Sequence, residues 1–449
     1  MAEDERPPGR APSTDPVEVA EPAPPEPEEA PPEGVPPPEP GGPVQGLIPE
    51  TGRWSFRRSL LVPMLAIVTA LSIGAIIIIV SNSEALAAWS SFFSDPLAAF
   101  RLSGRAVADA YRALFTGALG NPRLIVDAIR GGDLHQVALT FYPLSETVVT
   151  ATPLIFAGLS VALGFRAGLF NIGAEGQITM GALVGVVAGF SFAGLPGPVH
   201  LALIVIAGFV GGAAWGAIPG ILKARTGAHE VITTIMLNFV ALQLTDYALS
   251  KQFFRPAGTT NPISKPVTAA FPHLFGSSLR MNVGILLALA TAVAVAWLLN
   301  RTTVGFEFRA VGANPPAARA AGMSPTRTYV LVMSLAGGLA GLAAATQLAS
   351  VSPSLERGFS SGIGFDAIAL ALLGRATPGG VVAASFLFAV LRVGARSMQA
   401  ATDIPVDLIT VIQALVIVFV AAPALVRAIY RIRARRVIGQ EVFTKGWSG

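Results

Sequence analysis

The chain has 449 residues, of which 52% are hydrophobic and 13% charged, with a mean hydropathy of +0.62; this excludes an ordinary soluble domain and leaves a membrane protein crossed many times by apolar segments. The formal charge of +4 hides an asymmetry, because residues 1–50 hold twelve acidic and two basic side chains and the remainder fifteen acidic and twenty-nine basic, a balance of +14. That excess is not interleaved with exposed aromatics and so reads as a membrane-orientation signal rather than a nucleic-acid surface, while the absence of cysteine excludes disulfides, thiolate metal sites and cysteine catalysis.

The first fifty residues carry sixteen of the thirty-five prolines. A Pro/Glu-rich stretch lacks the apolar side chains needed to offset the entropy of ordering, so residues 1–52 are expected to be a disordered cytoplasmic tail. They do not read as a signal peptide, which needs a basic start followed directly by an apolar core.

Residues 53–427 are expected to form the membrane domain, an all-α polytopic bundle, because a helix of about twenty apolar residues crosses the ~30 Å hydrocarbon layer with every backbone group paired. Apolar runs predict about ten spans, near 60–80, 146–164, 168–190, 199–222, 230–250, 282–300, 327–350, 362–374, 379–397 and 405–424. Arg53, Arg57 and Arg58 precede the first span, and Arg166, Lys223, Arg225, Arg301, Arg309, Arg319, Arg327 and Arg375 then fall in loops on the same side. The positive-inside rule therefore puts both termini in the cytoplasm, with residues 428–449 as a basic cytoplasmic tail. The stretch 81–144 breaks the charge pattern with five arginines; its Val107, Ala110, Tyr111, Leu114 and Phe115 recur at helical spacing and predict an amphipathic helix along the outer surface. The second outer loop, 251–281, has four prolines and few apolar neighbours and suits contact with a delivery protein.

Between the second and third spans lies GLFNIGAEGQ, residues 168–177. Its glycines with Asn171, Glu175 and Gln177 make poor continuous helix and poor lipid contact. Two readings fit equally: a tight cytoplasmic turn, or a broken helix bordering a solute path. In the fifth span Glu230, Thr234 and Asn238 are each four residues apart and share one face, either as interhelical hydrogen-bonding glue or as lining for a small polar solute. Gly337, Gly338, Gly341 and Ala345 form a small-residue ridge that predicts close helix packing.

The polar, cationic insert GFEFRAVGANPPAARAAG, residues 305–322, is the clearest functional signal. Pro315 and Pro316 start a short helix where a missing N–H costs nothing, and Gly322 ends it with a left-handed backbone angle. A one-to-two-turn helix outside the membrane suits docking to a partner, although an ordinary surface loop has similar composition. There is no phosphate-binding GxxxxGK[ST] loop, the four histidines (135, 200, 229 and 273) are scattered, and Gly362-Ile363-Gly364-Phe365-Asp366 misses the Gly-x-Gly-Asp pattern of membrane aspartyl proteases by one residue. An enzyme is not expected, nor is a metal site.

Taken together, GLFNIGAEGQ, HEVITTIMLNF at 229–239 and GFEFRAVGANPPAARAAGMS at 305–324 resemble the permease subunits of bacterial ABC importers for nucleosides, within the wider family of simple-sugar and branched-chain amino-acid permeases. The likeness runs in order from about residue 60 to 425. It implies a cell-membrane importer subunit that binds no cofactor directly, with ATP used by a separate ATPase. It also implies a second permease, either a paralogue or a second copy, an extracellular solute-binding lipoprotein and surrounding lipid. The insert then corresponds to the helix gripped by the ATPase, involving Arg309, Asn314, Pro316, Ala317, Ala318, Arg319 and Gly322. Asn171, Glu175, Gln177, Glu230, Thr234 and Asn238 are the expected path residues. Pro316 stands where the family pattern has Glu, His229 where it has Asn, and the acidic tail is foreign to most members. Alternatives are a permease for ribose or another simple sugar, or an ion-driven secondary transporter that needs no ATPase.

Overall fold

The structure, a computed structural model, describes residues 53–431 apart from 403, 406, 423, 424, 427 and 428; the side chains of 53–63, 134, 420 and 421 are also outside the description. The tail expected at 1–52 lies outside the described residues, and of the 428–449 tail only 429–431 are described. Among the described residues there are helices and two isolated bridges, and no strand.

The helices run α1 Arg53–Ser81, α2 Ser83–Ser90, α3 Pro96–Leu119, α4 Pro122–Gly131, α5 Leu134–Arg166, α6 Ala174–Ser191, α7 Gly197–Thr226 and α8 Glu230–Ser250. They continue with α9 Gly284–Arg301, α10 Thr303–Ala313, α11 Pro315–Ala320, α12 Pro325–Ser350, α13 Ile363–Leu373, α14 Pro378–Thr402 and α15 Asp407–Ala421. A helix stands at each of the ten apolar runs. Seven of these, α1, α5, α7, α8, α9, α12 and α14, are long and apolar enough to cross a membrane, so the protein is an all-α multi-pass membrane protein. The other three depart from a simple span for identifiable reasons. α6 begins only at Ala174 because residues 167–173 fold back on α5; α13 has 11 residues and α15 has 15.

Small residues decide how closely the central helices pack, since lipid gives apolar side chains no reason to prefer a neighbouring helix. The predicted ridge on α12 meets a second one on α7. A β-carbon on Gly341 would stand 2.0 Å from the Gly208 carbonyl oxygen, and one on Gly337 would stand 2.2 Å from that of Gly212. α6 joins the same contact through Gly181, which faces Gly341 and the Gly208 carbonyl. Around this trio the core is filled from α5, whose Leu154, Ile155, Phe156 and Leu159 are fully buried.

α3 does not lie free on a surface as its amphipathic pattern suggested. Its buried face, Ala99, Ser103, Ala110, Leu114 and Ala118, packs on α14, where a β-carbon on Gly394 would meet the Leu114 carbonyl at 2.3 Å. Arg105, Asp109 and Arg112 form exposed ion pairs on the opposite side. The loop 251–283 is likewise more anchored than its prolines suggested. It lays Val267, Ala269 and Phe271 into the bundle end and pairs with the chain after α12 through Ser264 N–H to the Leu355 carbonyl (2.9 Å) and Val267 N–H to the Pro353 carbonyl (2.7 Å). The Arg280 guanidinium closes it against Glu146 at 3.1 Å.

The glycine contact generates a test. Gly341→Ala forces a methyl into the α7 backbone and is expected to lower the thermal midpoint of the solubilised protein by the equivalent of about 1–3 kcal/mol. Gly338→Ala meets only the Phe209 ring edge, which can turn aside, and should cost less; equal melting shifts would count against backbone contact.

Candidate functional site

α5 ends at Arg166, and the turn that follows is closed by Leu169 N–H donating to the Gly164 carbonyl at 2.9 Å. Gly168 has φ +69° and sits so close to α10 that a β-carbon would be 2.9 Å from the Gly312 carbonyl, so glycine is required there on both counts. The chain then runs back beside α5. Asn171 donates to the Ser160 hydroxyl (3.3 Å) and exchanges two hydrogen bonds with the Gln177 amide at 2.9 and 3.1 Å. α6 therefore starts beside the body of α5, inside the apolar layer.

A helix that starts there leaves its first N–H groups facing hydrocarbon unless something accepts them. Gly173, at the N-cap of α6, has no side chain to offer. The acceptor comes from α8: Asn238 Oδ1 takes the Gly176 N–H at 2.9 Å while its amide donates to the Ile172 carbonyl at 3.0 Å. One turn below on α8, Thr234 packs on Gly173, and a further turn below Glu230 pairs with Lys223 of α7 at 2.6 Å. The structure thus gathers all six sequence-derived residues, Asn171, Glu175, Gln177, Glu230, Thr234 and Asn238, around one backbone break, each at most 7% exposed.

Glu175 reaches a second break that the sequence reading did not identify. After α12 the chain descends as non-helical backbone from Val351 to Gly362 before α13 begins, so α13 is a half-length helix starting within the bundle. Its N-cap, Gly362 (φ +76°), again lacks a side-chain acceptor. Glu175 Oε2 accepts the Gly364 N–H at 2.9 Å and Oε1 accepts the Ser360 hydroxyl. A carboxylate at this position also meets the positive end of the helix dipole. In the first turn of α13, Asp366 pairs with Arg392 of α14 at 2.6 Å, and Arg392 also donates to the Ser361 carbonyl at 3.2 Å. Ser360, Asp366 and Arg392 were missed; the available signal was an arginine inside an apolar run, which needs a buried or wet partner.

The second cluster lies at the bundle end shared by Arg166 and α10. α11 forms as expected: the Asn314 side chain accepts the Ala317 N–H at 3.0 Å, prolines fill the first positions, and Gly322 takes φ +84°. Pro316, Ala317, Arg319 and Gly322 are exposed, but Ala318 is 4% exposed and anchors the helix. Arg309 stands apart from this knob. It lies on α10 near Arg166, with its Nε buried and unpartnered among the described residues. Beside the knob, a groove of about 420 Å³ between α7 and α12 is lined by Ile221, Arg225, Ser324, Arg327 and Leu331. Among the described residues no group of His, Cys, Asp and Glu has metal-ligand geometry.

Comparison with known proteins bears on both clusters. The family described as "Branched-chain amino acid transport system / permease component" matches residues 144–421, a stretch that contains both. The guanosine ABC transporter permease protein NupP of Bacillus subtilis is 37% identical over 371 residues, 82% of this chain and 94% of the relative. The nucleoside ABC transporter permease protein NupB of Lactococcus lactis is 35% identical over 81% of this chain and 91% of its own length. The glucose ABC transporter permease protein TsgB13 of Haloferax volcanii is 38% identical over 70% and 86% respectively. No solved structure matches the chain significantly.

The capping of α13 by Glu175 predicts a graded series. Glu175→Gln keeps an acceptor for the Gly364 N–H and lets the Ser360 hydroxyl turn to accept, so it loses the charge–dipole contribution, about 0.5–2 kcal/mol. Glu175→Ala leaves the buried Gly364 amide without its acceptor and costs about 1–3 kcal/mol more. Thermal midpoints in the order wild type, Gln, Ala are expected, and an Ala variant as stable as the Gln variant would refute the cap.

Proposed function

The chain belongs to the branched-chain amino acid transport system permease component family, and on that premise we propose that it is the membrane-spanning subunit of an ATP-driven importer for nucleosides. The observation that carries the reading is near full-length similarity to two permeases whose names specify guanosine and nucleosides. The site chemistry is consistent with it, since a nucleoside offers several hydrogen-bonding edges and no obligatory charge. A second reading, a permease for a simple sugar, is favoured by the similar identity to a glucose permease over most of that protein's length.

In the proposed mechanism a separate ATPase grips α11 and the adjoining groove, with Arg319, Ala317 and Gly322 on the contact surface and Asn314, Pro316 and Ala318 fixing the helix that presents them. Arg309 lies near Arg166, so a charge brought to this contact is felt at the end of α5 through like-charge repulsion. Gly312 lies against Gly168, so displacement of α10 bears directly on the turn where α5 gives way to α6. Asn171, Glu175, Gln177, Glu230, Thr234 and Asn238 frame the solute route at that turn and hold its two helix starts. ATP drives transport only if the route binds solute differently in its two orientations. The remaining components are a second permease, self or paralogue, and an extracellular solute-binding lipoprotein; the chain sits in the cell membrane with both termini in the cytoplasm.

Two measurements test this reading. Uptake of labelled guanosine by cells expressing the complete system is expected to be suppressed by excess unlabelled nucleosides and not by glucose; the reverse pattern supports the sugar reading. The pair Ala317→Glu and Arg319→Glu changes exposed positions of α11 only, and is expected to abolish co-purification of the ATPase while membrane insertion persists. Unchanged co-purification would refute the assignment of α11.

A further inference from the structure

The six polar residues at the first break are buried and their polar atoms are largely matched to one another, to Lys223 and to backbone, so they present little free hydrogen-bonding surface. The second break differs. At the tip of α13, Phe365 is 52% exposed and Ser361 is exposed, and the Asp366–Arg392 side chains remain 20% and 27% accessible. Depth can be read along α14, which starts at Pro378 near the Arg166–Ala376 contact (2.8 Å) at the α11 end of the bundle. Arg392 lies fourteen residues on, about 21 Å at 1.5 Å per residue, within the roughly 30 Å hydrocarbon layer.

An aromatic ring, a hydroxyl and an ion pair exposed together at that depth do not face lipid. The pattern also continues. Arg396 and Gln399 are exposed on α14 and follow Arg392 at i+4 and i+7, one helix face leading away from the α11 end. By contrast α9, another long apolar helix, exposes Leu286, Val293 and Trp297, as a lipid-facing surface should.

We infer that the tip of α13 and this face of α14 form the solute-contact surface, in which the Phe365 ring stacks on a flat heteroaromatic base while Ser361 and the Asp366–Arg392 pair hydrogen-bond the solute's polar edges. A ring on the residue preceding a paired carboxylate, with its guanidinium, offers a π-face, donors and acceptors at one helix tip, the set that a base and its ribose require. Arg396 and Gln399 make the wet approach from the far end. This deepens the importer reading and rests on it for the identity of the solute, not for the exposure of the surface.

The chain has no cysteine, so single substitutions report directly. In the complete transporter, with its solute-binding partner present, Ser361→Cys, Phe365→Cys and Arg396→Cys are expected to react with a charged, water-soluble thiol reagent at least about tenfold faster than Val293→Cys on the lipid face. Saturating guanosine is expected to slow the first two. Reaction rates no higher than Val293→Cys, or rates that no solute alters, would overturn the inference. Protection by glucose and not guanosine would uphold the surface and overturn the nucleoside reading. As a second measure, Phe365→Ala is expected to reduce guanosine uptake about tenfold, the scale of one lost base-stacking contact, with Phe365→Trp retaining most of it and ATPase co-purification unchanged in both. Equal uptake by the Ala and Trp variants would exclude stacking.

Discussion

A peptide N–H in hydrocarbon has no water to bond, and that single constraint organises this molecule. Two helices, α6 and α13, begin inside the bundle behind glycine N-caps that offer no side-chain acceptor. Each is capped from a different helix, α6 by Asn238 of α8 and α13 by Glu175 of α6. The caps form a chain, because the residue that completes α13 belongs to the helix that Asn238 completes. Irregular backbone at membrane depth persists only where such partners exist, so the positions of α8, α6 and α13 are set by hydrogen bonding, whereas α6, α7 and α12 are set by glycine contact.

These two kinds of contact divide the labour. The α6–α7–α12 trio brings backbones together at glycines with no side chain between them, a rigid arrangement with little freedom to slide. The capped breaks are held by a few directed bonds that can exchange partners. Between them and α11 runs a continuous backbone contact, Gly312 on Gly168, with Arg166 also fastening the end of α5 to the Ala376 carbonyl after α13. Both breaks therefore connect to the α11 end of the bundle through short elements.

Much of this was legible in the sequence. Helix positions followed from apolar runs, α11 from its Pro–Pro start and Gly322, the glycine ridge from its spacing, and the convergence of Asn171, Gln177, Glu230, Thr234 and Asn238 from their polarity at depth. The half-helix was not legible, because 362–374 is apolar throughout except for Asp366, and hydropathy does not distinguish a short helix preceded by unwound chain from a span. Arg392 was hidden for a related reason: its partner lies 26 residues away and only the fold joins them. α3 misled in the opposite direction, since its arginines mark one face and say nothing of the apolar face that α14 covers. The short helix in the 305–322 insert was clear as a unit but not residue by residue; Ala318 looked like its neighbours and is the one that anchors them.

The anchoring of loop 251–283 has a mechanical consequence. Residues 264–267 are stitched to 353–355 by hydrogen bonds, and the chain continues from there through a run of tight turns to Gly362. Three backbone hydrogen bonds close this segment, Phe359 N–H to the Glu356 carbonyl, Ser361 N–H to that of Gly358 and Ile363 N–H to that of Ser360, and leave it little slack. A displacement of this loop is therefore delivered to the start of α13 through a short, internally bonded link, so the half-helix is fastened to the loop as well as to Glu175.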